Sequence, residues 1–215
     1  MAIIKTNARS ASALDATILT GNLPAISGAS LTNIDAGTHV KISSQTASNS
    51  SYINFTSGID STYNQYIFKF HGIHAANDGT NFHYNADDNA GSGGYAIAGY
   101  SAFVQMYNNT SDAGTSIGGE SDSDRAGSTD CLLSRYTGNE NDESINGELR
   151  IYNPSSTSFF KQYEATMANY HTSNGACVHF IGGYWNTTSA INAFRFGMVS
   201  GNMESGTITL YGVKT

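Results

Sequence analysis

From about residue 50 onward the chain is built of short runs in which every second residue is apolar. YIFKFH, residues 66–71, sets Tyr66, Phe68 and Phe70 on one side and Ile67, Lys69 and His71 on the other, the period of two expected of a half-buried strand. Comparable runs follow at TNFHYN (80–85), GYSAFVQMY (99–107), CLLSRY (131–136), ELRIYN (148–153), SFFKQYEATMANY (158–170), ACVHFIGG (176–183), FRFGMV (194–199) and TITLYGV (207–213). Gly, Asn, Asp and Ser fill the connectors. The pattern predicts roughly nine or ten strands in an all-β fold, an antiparallel β-sandwich or jelly roll. YEATMANY (163–170) has helix-favouring Ala and Met, but its flanks suit one long strand, and it is assigned as strand. Pro24 and Pro154 both fall outside the strand runs, as a hydrogen-bonded sheet requires. The last two runs, separated by SGNMESG, predict a hairpin with Phe194, Phe196 and Met198 opposite Ile208 and Leu210.

Residues 1–45 break this pattern. No aromatic residue precedes Tyr52, yet Leu14, Ile18, Leu19, Leu23, Ile26, Leu31 and Ile34 recur too often for a solvated linker. We read 1–45 as an extended N-terminal arm that buries its aliphatics against something else, such as another subunit, and 46–215 as the β-domain. Two long connectors, 75–94 and 109–130, are rich in Gly, Asn, Ser and Asp. Such loops are where a contact surface is expected.

Composition narrows the function. Only 13% of the 215 residues are charged, against about 25% in ordinary soluble domains, so hydroxyls and amides carry the solubility. A net charge of -7 without any Lys/Arg cluster disfavours a nucleic-acid binder. The opening MAIIKTNARSASALD has no extended apolar region and does not read as a secretory signal, and no stretch approaches the ~18 apolar residues of a membrane span. Cys131 and Cys177 lie in strand-like runs, away from metal-ligand spacing, and are read as buried free thiols.

Four patterns in the sequence bear on chemistry. The loop carboxylates, among them Asp87, Asp88 and Asp130, do not follow the spacing of a calcium loop. His71 and His74 point to opposite faces of a regular strand and would share a ligand only across a bulge, for which Gly72 is the candidate. No G-x-S-x-G elbow occurs, and Glu148 and Glu164 are the strand-borne acids from which a glycosidase pair would have to come. The sequence calls for no cofactor and no catalytic or metal residue. Trp185 stands beside Tyr184 and Asn186. It suits either a plate for a sugar ring or a cap on the core. With Asp87 and Asp88 of the first long connector and Tyr95 just after it, these residues are the candidate glycan or receptor contacts.

Two stretches carry a resemblance. YIFKFHGIHAANDGTNFHYNAD (66–87) and FRFGMVSGNMESGTITLYGVKT (194–215) resemble segments of virion structural and tail-fibre-like proteins of tailed bacteriophages, particularly those of marine cyanobacteria. TILTGNLPAISGASLTNI (17–34) is similar to the leaders that precede such domains. The resemblance implies a homo-oligomeric β-domain on a particle assembled in the host cytoplasm, a homotrimer anchored to other virion proteins by its arm. It implies contact with a host surface glycan or protein, or a purely structural place in head decoration, collar or fibre. It names no catalytic residue; a polysaccharide depolymerase is the remaining alternative.

Overall fold

The computed structural model describes residues 38–111, 116–119 and 125–214. The aliphatic arm residues Leu14 to Ile34 lie outside the described residues. The strands are β1 (His39–Thr46), β2 (Tyr52–Phe55), β3 (Gln65–Ala75), β4 (Thr80–Asp87), β5 (Gly99–Asn109), β6 (Ser116–Gly119), β7 (Arg125–Ser128), β8 (Cys131–Thr137), β9 (Ile145–Tyr152), β10 (Lys161–His171), β11 (Gly175–Trp185), β12 (Ala193–Met198) and β13 (Met203–Val213). Every run expected to be a strand contains one, and YEATMANY lies within β10, which starts at Lys161 and so leaves Ser158, Phe159 and Phe160 of the expected run outside it.

All pairings are antiparallel. A large front sheet runs β1-β13-β3-β9-β10-β11-β5, with the short β6 and β7 both on the far edge of β5. A back sheet runs β8-β4-β12-β2. Among the described residues the bridge His171 to Thr137 joins β10 to β8, and an isolated bridge ties Ser50, just before β2, to Met203 of β13. The result is an antiparallel β-sandwich nearly closed into a barrel.

Aromatic side chains fill the space between the layers. From the front sheet Phe68 and Phe70 meet Phe194, Phe196 and Phe82 of the back sheet, with ring centroids 4.8 to 5.5 Å apart. Near one end Tyr84 meets Tyr163 and Trp185 edge-on. Edge-to-face pairs of this kind add to the area they bury. The alternation read from YIFKFH therefore correctly puts Tyr66, Phe68 and Phe70 inward, all essentially unexposed.

Three expectations are corrected. The boundary at residue 45 falls inside a strand: β1 pairs along β13 from His39 to Thr46. The final runs form no hairpin. β12 pairs with β4 and β2 in the back sheet, β13 with β1 and β3 in the front sheet. The intervening turn crosses the sandwich, and the apolar faces meet through the core. The connector 109–130 holds β6 and β7, which pair with β5.

The bulge foreseen at Gly72 is present. Its φ is +57°, and the register on β9 slips between Phe70 and Ile73. It does not bring the histidines to one ligand. His71 is exposed, whereas His74 is buried between Glu204 (Nδ1 to Oε2, 3.0 Å) and the Glu140 carbonyl (2.9 Å).

Candidate contact site on the outer sheet face

The residues proposed for contact separate by strand parity. On β11, Cys177, His179, Ile181 and Trp185 point inward, while Val178, Phe180, Gly182 and Tyr184 point outward. Trp185 is fully buried against Tyr84, Tyr163 and Phe194. It caps the core and offers no plate to a ligand. Asp87 is also buried: its carboxylate accepts from the backbone N–H of Asn89 (2.6 Å) and of Tyr95 (2.8 Å), tying down the following loop. Tyr95 is buried with the Arg195 guanidinium 4.7 Å from its ring centre, and the same guanidinium covers Tyr52 at 4.4 Å. These three are structural groups. Asp88, Tyr184 and Asn186 are exposed.

Tyr184 belongs to an arrangement wider than the predicted turn. The register sets Tyr184 opposite Tyr100 of β5. Their rings stack at 5.1 Å and 6°. Phe160, just before β10, stacks on Tyr184 at 5.8 Å and 10°. Three near-parallel rings thus stand across neighbouring strands, spaced about as the strands themselves are. Phe160 is 50% exposed and the adjacent Phe159 74%.

Beside this stack the outer face is hollow. One concavity of about 490 Å³ is lined by Ala102, Val104, Phe180 and Gly182 on one side and by Glu148, Arg150, Glu164 and Thr166 on the other. A second, about 320 Å³, shares Ala102 and Gly182 with it and extends to Tyr100, Tyr184 and Arg125. We call the combined feature the trough. Farther along β5 and β11 a third hollow of about 290 Å³ is lined by Met106, Ile117, Ala176 and Val178. Val104, Met106, Ile117 and Phe180 are all substantially exposed.

The acids named for hydrolysis lie on the polar wall. The register places Arg150 opposite Glu164 and Glu148 opposite Thr166. Arg150 donates through Nε to Glu148 Oε1 at 2.8 Å, and its Nη1 lies 3.7 Å from Glu164 Oε1. The Tyr152 hydroxyl donates to Glu164 Oε1 at 2.6 Å. The bond to Glu148 raises the Arg150 pKa above its usual range. Burial, followed by the bond to Glu164, raises that of Tyr152. One guanidinium thereby bridges two carboxylates and fixes both through Oε1. Neither carboxyl is isolated in an apolar pocket, the setting that prepares a general acid.

Two adjacent glycines set the floor. A Cβ on Gly183 would lie 2.3 Å from the Tyr100 carbonyl oxygen and 2.5 Å from the Tyr163 ring. A Cβ on Gly182 would meet nothing within 4 Å. Tyr100, Phe160 and Gly182 join the candidate contacts only in the structure. Parity counted from the inward Ile181 was the available signal for Tyr184 and Gly182; Tyr100 and Phe160 come into place only through strand pairing.

Fold and site together define an all-β sandwich whose outer face, among the described residues, is aromatic and amphipathic. No protein-family model, curated protein or solved structure matches the chain.

Proposed function

We propose that this chain is a structural component of a tailed-phage virion, tail-fibre-like, whose β-sandwich meets the host envelope through the outer face of β5, β10 and β11 and acts by binding. The supporting observation is the exposed Tyr100–Tyr184–Phe160 stack beside the trough, on a domain whose core is filled without those rings. Aromatic groups next to a few fixed polar groups are what a recognition site needs. On a homotrimer carried in many copies, weak contacts at each site would sum to firm attachment. The arm, now the residues that precede β1, would hold the trimer to other virion proteins assembled in the host cytoplasm.

A head-decoration, collar or fibre-connecting role is the second reading. The apolar hollow at Met106, Ile117 and Val178 favours it, since such a surface suits another protein better than a sugar. The test combines labelled antibody on purified particles with adhesion of the purified protein to a panel of marine cyanobacterial strains. Labelling at a fibre tip together with strain-selective adhesion, reduced at least tenfold by Tyr184→Ala, is expected. Labelling confined to heads or collars without adhesion would leave the connecting role, and an unlabelled particle would remove both.

A further inference from the structure

We propose that the trough over Gly182 is a subsite for a neutral oligosaccharide, whose rings lie along β11 between the apolar wall and the carboxylate wall; this rests on reading the outer face as the contact surface.

Gly182 carries the argument. A glycine within a strand weakens it and adds no packing, so its presence asks for a reason. At Gly183 the reason is the crowding by Tyr100 and Tyr163. At Gly182 neither crowding nor a left-handed backbone accounts for it. What the missing side chain provides is depth, directly between Phe180 and Tyr184 and opposite the small Ala102. The hollow falls within the roughly 300–1,000 Å³ of small-ligand sites.

The walls specify the ligand. β11 is paired along its length with both β10 and β5, so its backbone has no free edge to which an extended peptide could add. The occupant must be recognised by side chains. Val104 and Phe180 offer an apolar surface to the C–H face of a pyranose. Opposite them Glu148 and Glu164 are held through Oε1, and among the described residues no bond engages either Oε2. Two fixed acceptors and the Thr166 hydroxyl suit a rim of sugar hydroxyls. Glu148 and Glu164 against Arg150 give the polar wall itself a formal charge of about -1, which disfavours a phosphate or uronate seated on that wall; the cations of the same face, Lys69 opposite Glu148 and Arg125 in the adjoining hollow, flank it.

The test is NMR titration of the full-length ¹⁵N-labelled protein with maltohexaose, cellohexaose and chitohexaose, and with oligogalacturonate as the anionic control. At least one neutral oligosaccharide should shift the amides of Phe180, Gly182 and Tyr184, and oligogalacturonate should not. Gly182→Val fills the trough and should weaken binding at least tenfold without lowering the thermal midpoint. Absence of shifts with all three neutral sugars, or unchanged affinity in Gly182→Val, would overturn the assignment. A changed oligomeric state of Gly182→Val in light scattering would instead make the trough a contact between copies. Cell adhesion separates the two levels. Adhesion lost in Gly182→Val without any sugar shift rejects the ligand class and keeps the contact surface, whereas sugar binding without wild-type adhesion rejects the host-contact reading and keeps the subsite.

Discussion

Tyr184 and Trp185 are neighbours in the chain and stand on opposite sides of the sheet. Trp185 fills the end of the core among Tyr84, Tyr163 and Phe194; removing it leaves a cavity that the rigid sheets cannot close. Trp185→Ala should therefore lower stability by about 3–5 kcal/mol, whereas Tyr184→Ala, which loses two exposed stacking contacts, should cost about 1 kcal/mol. Urea unfolding of the two variants checks this, and comparable losses would contradict the assignment of Trp185 to the core. The choice between these residues was partly legible in the sequence. Residue type alone left Trp185 open between a sugar plate and a core cap, but alternation counted from Ile181 sends Trp185 inward and Tyr184 outward. Asp87 had no such signal. Its burial follows from the turn it closes, where two backbone N–H groups need an acceptor.

At the scale of single strands, the adjacent Gly182 and Gly183 give β11 two different faces. Gly183→Ala forces a Cβ against the backbone of β5 and should destabilise by about 1–3 kcal/mol, while Gly182→Ala meets open space and should stabilise the strand by about 0.5–1 kcal/mol. Thermal unfolding of both variants measures the difference, and equal shifts would mean that the two positions are not distinguished by packing. Long strands such as β3, β10 and β11 were legible because period two is a local property. The short β6 and β7 were not. SIGG and RAGS have too few apolar residues to alternate, and they become strands because the edge of β5 offers them hydrogen bonds. The expected β12–β13 hairpin shows the complementary limit: two alternating runs on either side of a turn read the same whether they pair or face each other across a core.

Over the whole molecule, stability should depend on acid through its buried imidazoles. Burial, aided by the nearby Arg135, pushes the His179 pKa from 6.5 down to about 3. Burial also lowers those of His83, against the pull of Asp130, and of His171. Each ring is harder to protonate in the folded chain, so below pH ~6.5 the unfolded chain binds more protons. Stability is then fully present above that pH and falls as the pH drops toward 3, by up to about 1.4 kcal/mol per unit from His179. Denaturation midpoints at pH 7, 5 and 4 should decline in that order, and His179→Gln should flatten the decline; an acid-independent midpoint would contradict the buried neutral imidazole. By itself the sequence determined that the protein is all-β, where its long strands lie and which side of each is apolar, because alternation acts between residues two apart. Only the tertiary structure decided which strands are neighbours, and so brought Tyr100, Phe160 and Tyr184 into one stack and Glu148, Arg150 and Glu164 onto one wall. Those associations depend on pairing between segments far apart in the chain, whose free energy comes from the whole core.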